Sequence, residues 1–338
     1  MDLLYPKDSL PCGYSAETGG KVANIRGLTV DKVRRYHSEY YSPDNALILL
    51  SGNVQKEDFF TALDEVEASI LKRRQTTPVT SKTRVGRPWI TSPIPSMIAD
   101  GRVGVYPPFH PVCSDDVTVE SPRPKTISFP SEDESRGTIS IGWRGPTYAS
   151  RATWMHLSLM WDYLTDSAAS PLQLAFVEND DPLCSDISPA HDVFTEGYHQ
   201  LWFQEVDVDR MNEVVDLFYE VMSMQAGMAT TDTPDTAGSS DNKFDLSRMR
   251  IVIRRYRRRV LEACERRPTS AITDGIIRNF LYGPRADERK NGNGSSYSPQ
   301  DEMEALHSDV DYLPFVDEAM LKDATFWQGL MREYILER

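Results

Sequence analysis

Proline placement constrains this chain more than any other feature of its sequence. Nine prolines fall between residues 78 and 124, at positions 78, 88, 93, 95, 107, 108, 111, 122 and 124. Each removes a backbone donor and clashes with the preceding helical turn, so no helix of ordinary length fits there. Hydrophobic periodicity also vanishes, and 74–124 reads as a long Pro-rich linker. The chain is thereby divided into an ordered block over 1–73 and a second over 125–338. A length of 338 residues leaves material for about two domains with their own cores.

The first block has a helix–strand–helix pattern. Thr29 is placed to cap a helix whose apolar side is Val33, Tyr36, His37 and Tyr40. Ser42-Pro43-Asp44-Asn45 stops it with turn-forming residues. The run Ala46 to Leu50 predicts a buried strand ending at Gly52-Asn53, and Phe59, Phe60, Leu63, Val66 and Ile70 mark a second helix. No strand precedes this unit, so its sheet neighbours are expected to come from other sequence, leaving an apolar edge exposed.

The second block opens with strand signals: an Ile127 and Phe129 pair, then Ile139, Ile141 and Trp143 alternating with polar neighbours. Helical spacing follows in Trp154, Leu157, Met160, Trp161 and Leu164, and Ser170-Pro171 reads as another helix start. Leu201 to Val206 predicts a strand, after which Asp209 is expected to cap a helix bearing Met211, Val214, Val215, Phe218 and Met222. Flexible loops are read at 226–243 and 285–300, with a helix from about Leu246 and another over Phe326 to Leu336. The mixture implies an α+β fold, helices packed on one face of a largely antiparallel sheet.

Charge and composition exclude several roles. The chain carries 37 basic against 51 acidic side chains, a net of −14, which argues against a general nucleic-acid binder. No run approaches the roughly 20 apolar residues of a membrane span. Four widely spaced cysteines form no CxxC pattern and read as reduced thiols.

Histidine spacing excludes more. The six histidines stand at 37, 110, 156, 191, 199 and 307, and no two are four residues apart. Neither HExxH nor HxxEH is therefore present. His37 is read as structural. A cross-strand meeting of His191 and His199 is the alternative weighed for them, and satisfied or exposed side chains rather than ligands are the favoured reading. Glu17 to Lys21 fails the phosphate-loop pattern, since Ser15 replaces its first glycine and Val22 its Ser/Thr. Nine arginines between Arg248 and Arg267 share a helix with the apolar stripe Met249, Val252, Ile253, Tyr256 and Val260. A solvated face salt-bridged to Glu262, Glu265 and other acids is expected; an inter-domain or partner contact is the alternative.

Two series of landmarks carry a resemblance. Tyr14 to Gly20, then Ile25-Arg26-Gly27-Leu28-Thr29, His37, Tyr40, Tyr41, Pro43, Asn45 and Gly52-Asn53-Val54 form the first. The second is Phe129-Pro130, Glu132-Asp133-Glu134, Gly137 to Gly145, Ser170-Pro171-Leu172, Val177-Glu178, Asp181-Pro182-Leu183, Arg248-Met249 and Phe280 to Gly283. Together they resemble the insulinase-like (pitrilysin, inverted-zincin) zinc metallopeptidases, in the large single-chain branch related to presequence proteases. The resemblance implies insulinase-like αβ domains: the C-terminal part of a first, catalytic-type domain over 1–73, the linker, and a second αβ domain over 125–338.

In that family the two histidines of HxxEH and a later glutamate hold zinc, and the motif's own glutamate activates the bound water. All lie upstream of the part this chain resembles, so no catalytic or metal residue carries over, and substrate-binding residues are unknown. The expectation is a partial zinc metallopeptidase without intrinsic activity or cofactor: a truncated product, an incomplete gene model or one piece of a split gene. Zinc and a peptide substrate belong to a complete member. The alternative is a non-catalytic scaffold completed by the rest of the protein or by a partner subunit, without nucleic acid or membrane. The branch implies the cytoplasm, with the mitochondrial matrix second.

Overall fold

The computed structural model describes residues 4, 19–41, 46–76, 125–228, 243–284 and 298–337. The linker from residue 77 onward, the centres of both expected loops, and Cys12, His110 and Cys113 lie outside the described residues.

The described residues of the first block form helices α1 (Val22–Arg26), α2 (Val30–Tyr40) and α3 (Lys56–Thr76). Thr29 caps α2 as its sequence position predicts, its hydroxyl accepting from the Lys32 amide at 3.3 Å. The expected strand over Ala46 to Leu50 does not form. A strand needs a neighbour for its backbone groups, and the described residues supply none. Leu47, Ile48 and Leu50 are exposed, as are Val33, Tyr36 and Phe60 on the flanking helices. The apolar side chains are exposed, but without a strand there is no sheet edge here.

The second block carries the core. Strands β1 (Arg136–Thr147), β2 (Asp186–Asp192) and β3 (Glu196–Asp207) form an antiparallel sheet in the order β1-β3-β2. Its register places Trp143 opposite His199 and His191 opposite His199. Helix α4 (Arg151–Thr165) lies across the sheet, with Leu159, Met160 and Leu164 fully buried. Around it pack α5 (Pro171–Phe176), α6 (Met211–Gln225), α7 (Leu246–Arg266), α8 (Pro268–Tyr282), α9 (Pro299–Val310), α10 (Leu313–Ala319) and α11 (Ala324–Met331). Helix α11 runs into a π-helical turn, Arg332–Leu336. The fold is α+β, with helices over a small antiparallel sheet.

Two local expectations need correction. Ile127 and Phe129 are exposed and belong to no strand, because the sheet begins only at Arg136. Asp209 does not cap α6: the chain tightens into a 3-10 turn, Val208–Arg210, which places Asp209 too early. Arg210 occupies the cap position, and its guanidinium holds Asp181 and Glu213 together, at 2.9 and 2.8 Å. Helix α9 begins inside the stretch read as a loop. Ser298 and Asp301 form a capping box, with Pro299 in the first turn.

Close approaches fix the layers. A side chain at Gly145 or Gly197 would overlap the Trp154 indole, so β1 and β3 both give way to that ring. One at Gly275 would overlap the Asp309 carbonyl, so α8 and α9 cross in near backbone contact.

Candidate functional site

Helix α7 gathers the largest concentration of charge. Asp245 caps it, accepting from the Ser247 and Arg248 amides at 2.7 and 3.2 Å. Met249, Val252 and Ile253 are buried against the rest of the block, which fixes the helix's rotation. Arg248 then points at the end of α4. Its guanidinium donates to Ser170 Oγ at 2.6 Å, Ser167 Oγ at 3.3 Å and the Tyr163 carbonyl at 3.4 Å, and lies over the Tyr163 ring. Burial pulls the Arg248 pKa below its ordinary value. A cation at the carboxyl end of α4 also suits that helix's dipole.

The other arginines divide by direction. Arg255 pairs with Asp166 at 2.5 Å, Arg259 bridges Asp162 and Asp166, and Arg257 meets Asp317 of α10 at 2.8 Å. Burial pushes the Asp162 carboxyl above the usual range, against the pull of Arg259. Arg266 pairs with Glu262 at 2.9 Å. The solvated face expected from the sequence is thus partly a seam between helices: most partners come from α4 and α10, which only the tertiary fold brings near. Arg250, Arg254 and Arg258 point outward.

A second polar cluster is interior. Asp309, 3 % exposed, accepts from Tyr148 Oη at 2.5 Å, from Arg151 Nε and Nη2 at 2.5 and 3.0 Å, and from Asn279 Nδ2 at 2.9 Å. Burial and the Asp309 carboxylate drive the Tyr148 hydroxyl far above its ordinary pKa, so it stays a donor. Burial opposes the Arg151 charge, but Asp309 more than offsets this and raises its pKa. The cluster ties the end of β1, the start of α4, α8 and α9 into one joint. Every polar atom of the carboxylate faces protein, which suits a brace rather than a reacting group.

The histidines are dispersed. His191 and His199 do face each other across β2 and β3, but each serves a different aromatic neighbour. His199 is fully buried, stacked 5.3 Å from Trp143, and its Nδ1 accepts from Trp161 Nε1 at 3.3 Å. His191 lies 6.0 Å from the Trp154 ring. His156 stands edge-on between Phe326 and Trp327 of α11, at 5.0 and 5.8 Å. His37 stacks on Tyr41 at the exposed end of α2, and His307 is exposed on α9. Among the described residues no group of three His, Cys, Asp or Glu could hold a metal ion. Two histidines and a carboxylate that could share a zinc do not converge among the described residues: His156, His191 and His199 lie against different aromatic rings, and His307 is exposed apart from them.

His156 predicts how acid acts on the fold. Burial holds its imidazole below the ordinary pKa, with Glu318 opposing this only in part; His191 is exposed near the end of β2 and does not enter the prediction. The unfolded chain therefore takes up protons first as pH falls through about 6.5. Stability present above that pH is lost below it, so the urea midpoint should fall from pH 7.5 to 5.5. His156→Leu should flatten part of that slope; an unchanged slope would remove His156 from the account.

Among the described residues no helix is long and apolar enough to cross a membrane. Comparison with known proteins places the architecture. The family profile described as "Peptidase M16 inactive domain" matches residues 27–228, about three fifths of the chain. An uncharacterized protein of Schizosaccharomyces pombe is 26% identical over 281 residues, 83% of this chain and 23% of its own length. One from Saccharomyces cerevisiae is 26% identical over 337 residues, 99% of this chain and 26% of its own. The mitochondrial presequence protease of Mus musculus is 26% identical over 210 residues, 60% of this chain and 17% of its own. The chain thus spans about a quarter of the length of the first two relatives. With a family match over more than half of its residues, the chain belongs to the insulinase-like M16 peptidase family.

Proposed function

We propose that this chain is a non-catalytic structural unit of an insulinase-type zinc peptidase. In this reading the zinc ligands and the water-activating carboxylate stand on residues outside this sequence, and peptide hydrolysis belongs to the complete protein. The observation that carries it is the fate of the polar groups. The Tyr148–Arg151–Asp309–Asn279 cluster and the Arg248, Arg255 and Arg259 ties are closed braces between helices. The absence of HxxEH from all 338 residues agrees, as does the inactive-domain description of the matching family. The cytoplasm is the compartment we favour, the mitochondrial matrix the alternative.

A scaffold role alongside a partner subunit is the second reading, favoured by the exposed apolar side chains of the first block and the outward arginines of α7. A fluorogenic unstructured peptide tests both readings against catalysis. The purified 338-residue chain, with zinc added, should cleave it no faster than buffer. Chelator-sensitive turnover would overturn both.

A further inference from the structure

Helix α7 has an outward face that none of its structural ties use. Arg250, Arg254 and Arg258 stand at four-residue spacing, about 6 Å apart along the axis. All three are exposed, and among the described residues none makes an ion pair or hydrogen bond. Beside them Ile251 is 53% exposed and Leu261 38%. The five remaining arginines of Arg248–Arg266 pair with Asp162, Asp166, Asp317 and Glu262 or donate to the Ser170 hydroxyl. Like charges four residues apart weaken a helix, and the one acid at that spacing from the row, Glu262 after Arg258, is paired with Arg266 instead.

The whole chain is strongly acidic, at −14, and the row is a local reversal of that charge. A long polyanion such as nucleic acid would feel the net repulsion along its length. A short acidic segment feels mainly the row, because charges beyond about 8–10 Å are screened. Arginine is also among the residue types enriched at protein interfaces. We propose that the outward face of α7 is a docking surface for a short acidic amphipathic helix of another protein. Carboxylates at four-residue spacing would meet Arg250, Arg254 and Arg258, and aliphatic side chains would cover Ile251 and Leu261. The proposal goes beyond the structural-unit reading and is tested without any peptidase step, so either can fail alone.

The probe is a labelled synthetic helix of about 18 residues with glutamates at four-residue spacing and leucines beside them, titrated by anisotropy at low salt. The expected result is saturable binding, weakened at least about tenfold in Arg250→Ala/Arg254→Ala/Arg258→Ala and about threefold in Ile251→Ala. A scrambled peptide of the same composition should bind more weakly than the probe. Circular dichroism of the variants, all at exposed positions, checks that the fold is kept. No saturable binding, equal binding to the triple variant, or tighter binding of a single-stranded oligonucleotide would each overturn the proposal.

Discussion

Asp309→Ala is expected to lower the free energy of unfolding by about 3–5 kcal/mol, because it strands the Arg151 guanidinium in the interior. Arg151 is held by two bonds to that carboxylate, and its side chain is only 16% exposed. Tyr148 and Asn279 lose their acceptor at the same time. Desolvation cost falls on whichever charge is left unpaired, so Arg151→Met/Asp309→Leu should recover much of the loss. The urea midpoint should drop in the single variant without a change in slope. A loss below about 1 kcal/mol would mean that water reaches the cluster and the brace is ordinary surface pairing.

Trp143→Ala is expected to cost a similar amount, about 3–5 kcal/mol, by a different route. Its ring is 3 % exposed, stacks on His199 and tilts against Trp161 and Phe218 at 5.7 and 5.8 Å. Its Nε1 donates to the Ile335 carbonyl at 3.0 Å, tying β1 to the π-helical turn 192 residues later. Trp143→Phe keeps most of the apolar contact but strands that carbonyl, and should cost only about 1–3 kcal/mol. Hydrogen exchange over 332–337 separates the two effects, since both variants should deprotect the turn while only alanine loosens α4. Unchanged exchange in the turn would show that packing alone holds it.

The long periodic elements were legible in the sequence, and their surroundings were not. Helix α4 could be read because Trp154, Leu157, Met160, Trp161 and Leu164 repeat at helical spacing, and all five are buried. Strand β2 gave no such signal: its sequence DISPAHD has little alternation and carries Pro189, which an edge strand tolerates and a propensity reading rejects. Helices α8 and α9 left a local cue, a proline in the first turn of each, and for α9 the Ser298–Asp301 capping box as well. For Ala46 to Leu50 the apolar run is present, but a strand is a property of a pair of segments, and the partner was not available to the described chain.

The polar sites separate in the same way. The apolar stripe of α7 was readable, and with it the existence of an arginine face. Which arginines turn inward depends on Asp162, Asp166 and Asp317, each at least 60 residues away in the chain. Asp309 carries no local signal because its partners Tyr148 and Arg151 lie 161 and 158 residues from it. The cross-strand meeting of His191 and His199 rests on β2, which the sequence does not signal. Nor does it signal what occupies them, since Trp154 and Trp161 reach them from α4 and Trp143 from β1.

The most direct test of a structural, non-catalytic unit is the zinc content of the chain itself. The purified 338-residue protein would be incubated with zinc, dialysed and measured by mass spectrometry under native conditions. The account predicts no retained stoichiometric zinc. One tightly held ion per chain, lost in His191→Ala or His199→Ala, would contradict it and relocate a metal centre to the β2–β3 pair.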